Sequence, residues 1–287
     1  MATHPDLAFV GHIHNAPPTL DPTACWRWWR GIPRSTQSAW LHEEVGRRMQ
    51  ERLQWIKMRP RDWIHAQPSI GGWQSHGLLV QRYPKAACQI VEASEYRRSQ
   101  TALQLEPRGW RTWLPGAFKP VWRVTPMDPE PADLLWANMQ LHIHPDPQTL
   151  LNAWYEALRV DGFLMFSCLG PDSLLELHQL YRDLGWPPPG PSWTDMHDWG
   201  DMLVQIGFAE PVMDMERITL QYAEPVRLIE DLRAMGRNLH PERHPACRGK
   251  GWRDQLENAI RHHWPHRGSE GQYALTFEIV YGLSLIH

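Results

Sequence analysis

The stretch from Asp62 to Leu105 constrains this chain more than any other. A short apolar run, Asp62–Gln67, leads into Pro68-Ser69-Ile70-Gly71-Gly72. Trp73–Tyr83 then places Leu78, Leu79 and Tyr83 on one helical face. Ala87–Val91 reads as a buried strand ending on Glu92, and Glu95–Leu105 as a second helix. Strand, glycine-containing turn, helix, strand, acid is the outline of a nucleotide-binding βαβ unit. In such a unit the turn lets backbone approach a ligand, and the helix start offers N–H groups to it. The acid at the end of the second strand holds ribose hydroxyls, and Glu92 lies 21 residues beyond Gly71, near the spacing this requires.

Elsewhere helix and strand patterns alternate. Leu41, Val45, Met49, Leu53 and Ile56 give Trp40–Met58 a helical period, which Arg59-Pro60 stops. Between 106 and 131 the strand candidates are Trp110–Leu114 and Val121–Val124. Ala132–Asn138 predicts a strand and Pro147–Val160 a helix. After Asp161-Gly162 come a strand, Phe163–Cys168, and a helix, Ser173–Leu184, with Asp172 as its N-cap. Asp195–Ile206 predicts a helix stopped by Gly207, Ala209–Leu220 a segment containing a strand, Val226–Met235 a helix and Thr276–Tyr281 a last strand. The alternation predicts an α/β fold with a mainly parallel sheet. Residues 1–26 read as a loose arm ahead of one domain, 27–287.

Composition narrows the function classes. Hydrophobic residues at 42% and charged residues at 21% describe a globular chain. A net charge of -3 argues against a nucleic-acid binder. No apolar run approaches the roughly 18–20 residues of a membrane span, and no basic, then apolar, leader opens the chain, so a cytoplasmic protein without a membrane partner is expected. Cys25, Cys88, Cys168 and Cys247 form no CxxC pair, which points to reduced thiols rather than a zinc ribbon or a disulfide scaffold. His142, His144, His240, His244, Cys247, His262, His263 and His266 match no compact zinc spacing and read as exposed loop residues; no metal is expected. Among the 17 tryptophans, Trp26, Trp28, Trp29 and Trp40 are candidates for a partner groove. Arg47, Arg48 and Arg52 offer a basic helix face to an acidic partner.

Several segments resemble a known family. Ala132–Met139 is similar to the fourth strand of class I S-adenosylmethionine methyltransferases, and Leu158–Ser167 to their Leu-Arg-Pro-Gly-Gly segment. Leu169–Leu174, Asp195–Asp201, Gly207–Asp214, Asp231–Gly236 and Phe277–Gly282 more specifically resemble the biotin-pathway malonyl-[acyl-carrier-protein] O-methyltransferases. The resemblance implies a Rossmann-like, doubly wound, seven-stranded sheet with an antiparallel hairpin among its last strands. A helical cap would follow the fifth strand. It also implies methyl transfer from S-adenosylmethionine to the free carboxyl of a malonyl thioester, with acyl carrier protein as partner.

The amino half departs from the family pattern. The first motif, apolar-apolar-Asp-apolar-Gly-x-Gly-x-Gly, falls on Trp63–Gly71 and retains only Gly71. Gln67 and Ser69 carry side chains where the family has glycines, Pro68 removes an N–H, and His65 replaces the acid. Losing one charge-assisted hydrogen bond costs about 1.5–3 kcal/mol, or roughly one to two decades in affinity. The cofactor-binding residues implied are then His65, Gly71, Gly72, Glu92 and Asn138, with Asp128 nearest to the family's adenine-contacting acid. A carboxylate substrate is already nucleophilic, so catalysis needs alignment and a dry pocket rather than an acid–base pair, and no catalytic residue is assigned. Arg233 and Arg237 are the candidates for gripping the substrate carboxylate. Two readings remain open: a working methyltransferase, or a relative that kept the fold, lost turnover and serves as a binding or scaffold protein.

Overall fold

The computed structural model describes residues 20–31, 38–105, 122–125, 130–246, 248–268 and 270–286. Five strands run parallel: β1 (Asp62–Ala66), β2 (Ala87–Val91), β3 (Trp122–Thr125), β4 (Ala132–Ala137) and β5 (Leu158–Leu169). An antiparallel pair, β6 (Ala209–Tyr222) and β7 (Tyr273–Leu285), joins β5 through β7. The order is β3-β2-β1-β4-β5-β7-β6. The chain starts in the middle, moves outward to β3, then crosses back to lay β4 on the other side of β1. That reversal opens a crevice beyond the carboxyl ends of β1 and β4, where ligands of such sheets bind.

Alternation along the strands builds two apolar layers. Trp63, Leu134, Trp136, Phe163 and Met165 face one layer, with residues of α2 (Trp40–Arg52), α4 (Trp73–Arg82), α7 (Leu175–Asp183), α9 (Pro225–Met235) and α10 (Lys250–His263). Ile64, Ala66, Leu135, Ala137, Leu164 and Phe166 face the other, with Trp29 of α1 (Pro22–Arg30) and residues of α6 (Pro147–Glu156) and α8 (Met196–Ile206). A one-turn helix, α3 (Pro68–Gly71), follows β1, and α5 (Glu95–Leu105) follows β2. Among the described residues no helix is long and apolar enough to cross a membrane.

Some boundaries differ from the sequence reading. Helix α2 ends at Arg52 and tightens into a 3-10 turn, Leu53–Trp55, short of Met58. Helix α6 stops at Glu156 because β5 already begins at Leu158, pairing with Ala132. A bulge with Asp161 in the left-handed region (φ 64) re-aligns Phe163 with Leu134, and the Asp161 N–H donates to Ile286 at 2.8 Å. Strands β6 and β7 outrun their expected lengths because each completes the other's ladder. Helix α1 starts inside the arm expected to be loose. Asp21 caps it, accepting from the N–H groups of Thr23 (2.9 Å) and Ala24 (3.2 Å), and Cys25 and Trp29 are fully buried. Residues 110–114 and 121 lie outside the described residues. Helix α10 was not foreseen, although Trp252, Leu256, Ala259 and Ile260 share a face that packs on the core.

Gly282 faces Phe166 across the β5–β7 ladder, and a Cβ there would stand 2.1 Å from the buried ring. Gly282→Ala is expected to cost about 1–3 kcal/mol, lowering the melting temperature by about 2–4 °C per kcal/mol. Gly77→Ala on α4, where a Cβ meets nothing within 4 Å, should hold or raise it. Thermal melts of the two variants check the pair.

Candidate functional site

The crevice at the β1–β4 reversal is shaped by residues 66–74. Gln67 leaves β1 in the left-handed region (φ 46), and its N–H donates to Val91 at 2.7 Å, tying the turn to β2. Pro68 then starts α3, and Gly72 at φ 111 redirects the chain into α4. Only glycine suits positions 71 and 72. A Cβ on Gly71 would lie 2.5 Å from the Asn138 carbonyl oxygen, and Gly72 needs its positive φ.

Neighbouring elements take up several polar groups of this segment. His42 Nδ1–H donates to the Ile70 carbonyl at 2.8 Å. Asn138 Nδ2 donates to the carbonyls of His42 (2.7 Å) and Gly71, while its Oδ1 accepts from the Ser167 hydroxyl at 2.6 Å. Gln140 Nε2 donates to the Ala66 carbonyl. The carboxylate of Glu43 on α2 accepts from the N–H groups of Trp73 and Gln74, both at 2.9 Å, and so caps α4 in the way a bound anion would.

Glu92, at the end of β2, has no solvent exposure. One carboxylate oxygen accepts from the Ser69 N–H (3.1 Å) and the Thr101 hydroxyl (3.0 Å), and the other from the Ser69 hydroxyl (2.7 Å). Arg97 Nη1 donates to the same Ser69 hydroxyl at 2.9 Å. Burial raises the Glu92 carboxyl above its ordinary range, although these bonds and the Arg97 charge act against it. Burial also lowers the Arg97 guanidinium, with the Glu92 charge opposing.

His65 points elsewhere. It lies in the core beneath α4, its Nδ1 3.2 Å from that of His76, with the two rings stacked at an interplanar angle of 13°. Burial holds His65 well below the ordinary histidine range and His76 at about 4, so the pair is neutral. Of the cofactor-binding residues expected from sequence, Gly71, Gly72, Glu92 and Asn138 gather around residues 66–74 and His65 does not. Asp128 lies outside the described residues.

S-adenosylmethionine would need an acid free to take its ribose and room between the first-motif turn and Asn138. Glu92 is spent on Ser69 and Thr101, Gly71 rests on the Asn138 backbone, and Glu43 covers the start of α4. As arranged, these residues do not fit the cofactor.

A cavity of about 470 Å³ lies nearby, at the carboxyl end of β5 and against α9. Leu169, Leu174 and Phe277 contribute to its apolar wall, and Arg233, Arg237 and Arg248 to its polar part. The Arg248 guanidinium sits 3.5 Å over the Trp252 ring. Arg233 and Arg237 are exposed, and among the described residues neither has an ion-pair partner. An apolar wall with unpaired guanidinium groups suits an acyl chain ending in a carboxylate.

Three other expectations need correction. His142 and His144 are buried rather than exposed, because α1 and the 186–194 loop cover the turn after β4. His144 meets the Trp29 ring at 4.9 Å and His142 the Trp193 ring at 6.4 Å. Burial pushes His142 down to about 3 and His144 to about 4. The basic face of α2 is neutralised: Arg47 pairs with Glu44 and Glu51, Arg48 with Glu44 and Glu216, and Arg52 with Asp214. Hydrogen bonds from Arg47 lead in holding Glu44 at about 2. The four tryptophans form no single groove, since Trp29 is core, Trp28 lines the cavity and Trp40 is 56% exposed on α2. Among the described residues no group of three or more His, Cys, Asp or Glu could hold a metal ion.

Sequence reasoning missed His42, Glu43, Arg97, Thr101 and Gln140, and read Ser69 as crowding the turn rather than as a donor to Glu92. One signal was legible: Arg97 and Thr101 stand four apart and form the buried side of α5, an unusual polar stripe aimed at the acid of β2.

The sheet order and crevice define the fold of the class I methyltransferases. A Bacillus halodurans methyltransferase structure superposes with a TM-score of 0.54 at 11% identity, covering 84% of this chain and 98% of that one. The YcgJ protein of Bacillus subtilis gives 0.54 at 10% identity, covering 86% and 99%. No protein-family model matches the chain. Curated relatives do. A malonyl-[acyl-carrier protein] O-methyltransferase of Nitrosospira multiformis is 35% identical over 268 residues, 88% of this chain and 85% of its own. That of Gallionella capsiferriformans is 34% identical over 251 residues, 85% and 83%. This chain belongs to the malonyl-[acyl-carrier protein] O-methyltransferase family.

The buried histidines set a pH dependence. Unfolded, they take up protons near 6.5, whereas His76 and His144 in the fold do so only near 4. Between those values the unfolded chain binds more protons, so stability is full above pH 6.5 and declines as pH falls toward 4. Thermal melts across that window should show a falling melting temperature, with a shallower slope for His144→Phe. A flat profile would mean that these imidazoles are not held neutral.

Proposed function

We propose that this chain is an S-adenosylmethionine-dependent O-methyltransferase that esterifies the free carboxyl of a malonyl thioester on acyl carrier protein. The observation that carries this reading is the cavity with Arg233 and Arg237 unpaired, set at the edge of a methyltransferase crevice in a chain of that family. A carboxylate needs no base to become a nucleophile. The chain's part is to hold it, align it and keep water away. The guanidinium groups of Arg233 and Arg237 would anchor carboxylate oxygens, and the apolar wall of Leu169, Leu174 and Phe277 would exclude water. An acidic carrier protein would dock on this side, where arginines are unpaired, rather than on α2, where they are neutralised. The reading requires residues 66–74 to rearrange before the cofactor is bound.

A second reading has its own support. The saturation of Glu92 and the capping of α4 by Glu43 favour a relative that binds the acyl carrier without transferring a methyl group.

One assay separates the two. Purified full-length protein is incubated with malonyl-acyl carrier protein and S-adenosylmethionine, and the carrier is examined by mass spectrometry. Methyl ester formation is expected, with the double variant Arg233→Ala, Arg237→Ala losing about tenfold or more in apparent affinity for the acyl substrate. Carrier binding without ester, under any cofactor concentration, would sink the methyltransferase reading in favour of the second.

A further inference from the structure

We infer that Gln67–Gly71 is a latch over the cofactor crevice, with Ser69 in the place of the ribose, and that cofactor binds only when Ser69 leaves Glu92. This rests on the methyltransferase reading and concerns how that same site is controlled.

The argument starts from Glu92. A ribose offers an acid two neighbouring hydroxyl donors. Ser69 offers the same pattern from one residue, its N–H to one carboxylate oxygen at 3.1 Å and its hydroxyl to the other at 2.7 Å. The cofactor and the latch therefore compete for the same two acceptors. With no solvent exposure, Glu92 has no water to turn to, so beside the Thr101 hydroxyl it needs donors from one of the two.

Two further contacts hold the latch down. Arg97, 2% exposed, donates from Nη1 to the Ser69 hydroxyl at 2.9 Å and from Nη2 toward the Trp28 carbonyl at 3.5 Å. Asn138 fastens the other end through the Gly71 carbonyl. Pro68 fixes its own φ and stiffens the turn between these anchors. Substituting the residues at positions 67 and 69, where the family carries glycine, has thus done more than crowd the crevice. It has supplied the hydroxyl that occupies it. Trp28 also lines the acyl cavity, so the helix that anchors Arg97 is the one an acyl occupant would touch.

The test is calorimetric titration of full-length protein with S-adenosylhomocysteine, comparing wild type with Ser69→Gly and Arg97→Met. Ser69→Gly removes the competing hydroxyl without adding volume; Arg97→Met keeps the packing stem and removes the clamp. Melting temperatures establish that each variant is folded, and Ser69→Gly carries the test should Arg97→Met fail to fold. The expected result is weak binding by wild type and affinity higher by about tenfold or more in the variants, the worth of one charge-assisted hydrogen bond. Equal, tight binding by wild type and variants would overturn the latch and leave the methyltransferase reading standing. Absence of binding by all of them at millimolar ligand would overturn the latch and the methyltransferase reading together.

Discussion

The Glu92 carboxylate is removed from water at the end of a central strand, and the surrounding polypeptide is arranged to satisfy it. A buried charge without partners is costly enough to unfold a domain of ordinary stability. Here the partners come from the turn after β1 and from α5, so strand order, turn conformation and helix placement are bound to one acid. Parallel β1 and β2 bring the turn and the acid to the same end of the sheet. The left-handed Gln67 and the one-turn helix behind it then aim Ser69 at the carboxylate. The same economy is seen at the neighbouring helix start, where Glu43 of α2 takes the N–H groups of Trp73 and Gln74.

The two sides of the crevice are therefore in different states. On the nucleotide side, the carboxylates of Glu43 and Glu92 and the carboxamide of Asn138 are paired within the chain. On the acyl side, an apolar cavity carries guanidinium groups without carboxylate partners. Arginines of α2, which look equally basic in sequence, are quenched by Glu44, Glu51, Asp214 and Glu216. Recognition of an anion is governed by which cations remain unpaired in space. On that criterion the proposed acyl site lies on the α9 side of the molecule.

Much of the fold was legible. The βαβ outline at 62–105, the strands at 87–91 and 132–138 and the helix stopped by Gly207 all follow from apolar periodicity and from glycine and proline punctuation, which are local properties. Ends that depend on a partner were not legible. Strand β7 is long because β6 lies beside it, and β5 starts early because Ala132 is there to pair with Leu158. The histidines after β4 looked like loop residues because nothing local announces that α1 and Trp193 will cover them.

For the site, the sequence set beside the family it resembles determined that the glycine cradle had been replaced and that an acid persisted at the end of β2, and the spacing alone placed Arg233 and Arg237 near one another on a helix and its exit. Those are statements about chemistry and spacing, and they survive any packing. Only the tertiary structure decided where each group spends its hydrogen bonds. Glu92 meets Ser69 rather than solvent, Glu43 reaches α4 from thirty residues upstream, and His65 turns into the core to stack on His76. The reason is physical: a buried polar group is satisfied by whatever donor or acceptor the fold brings within about 3 Å, and that neighbour is set by topology rather than by sequence distance.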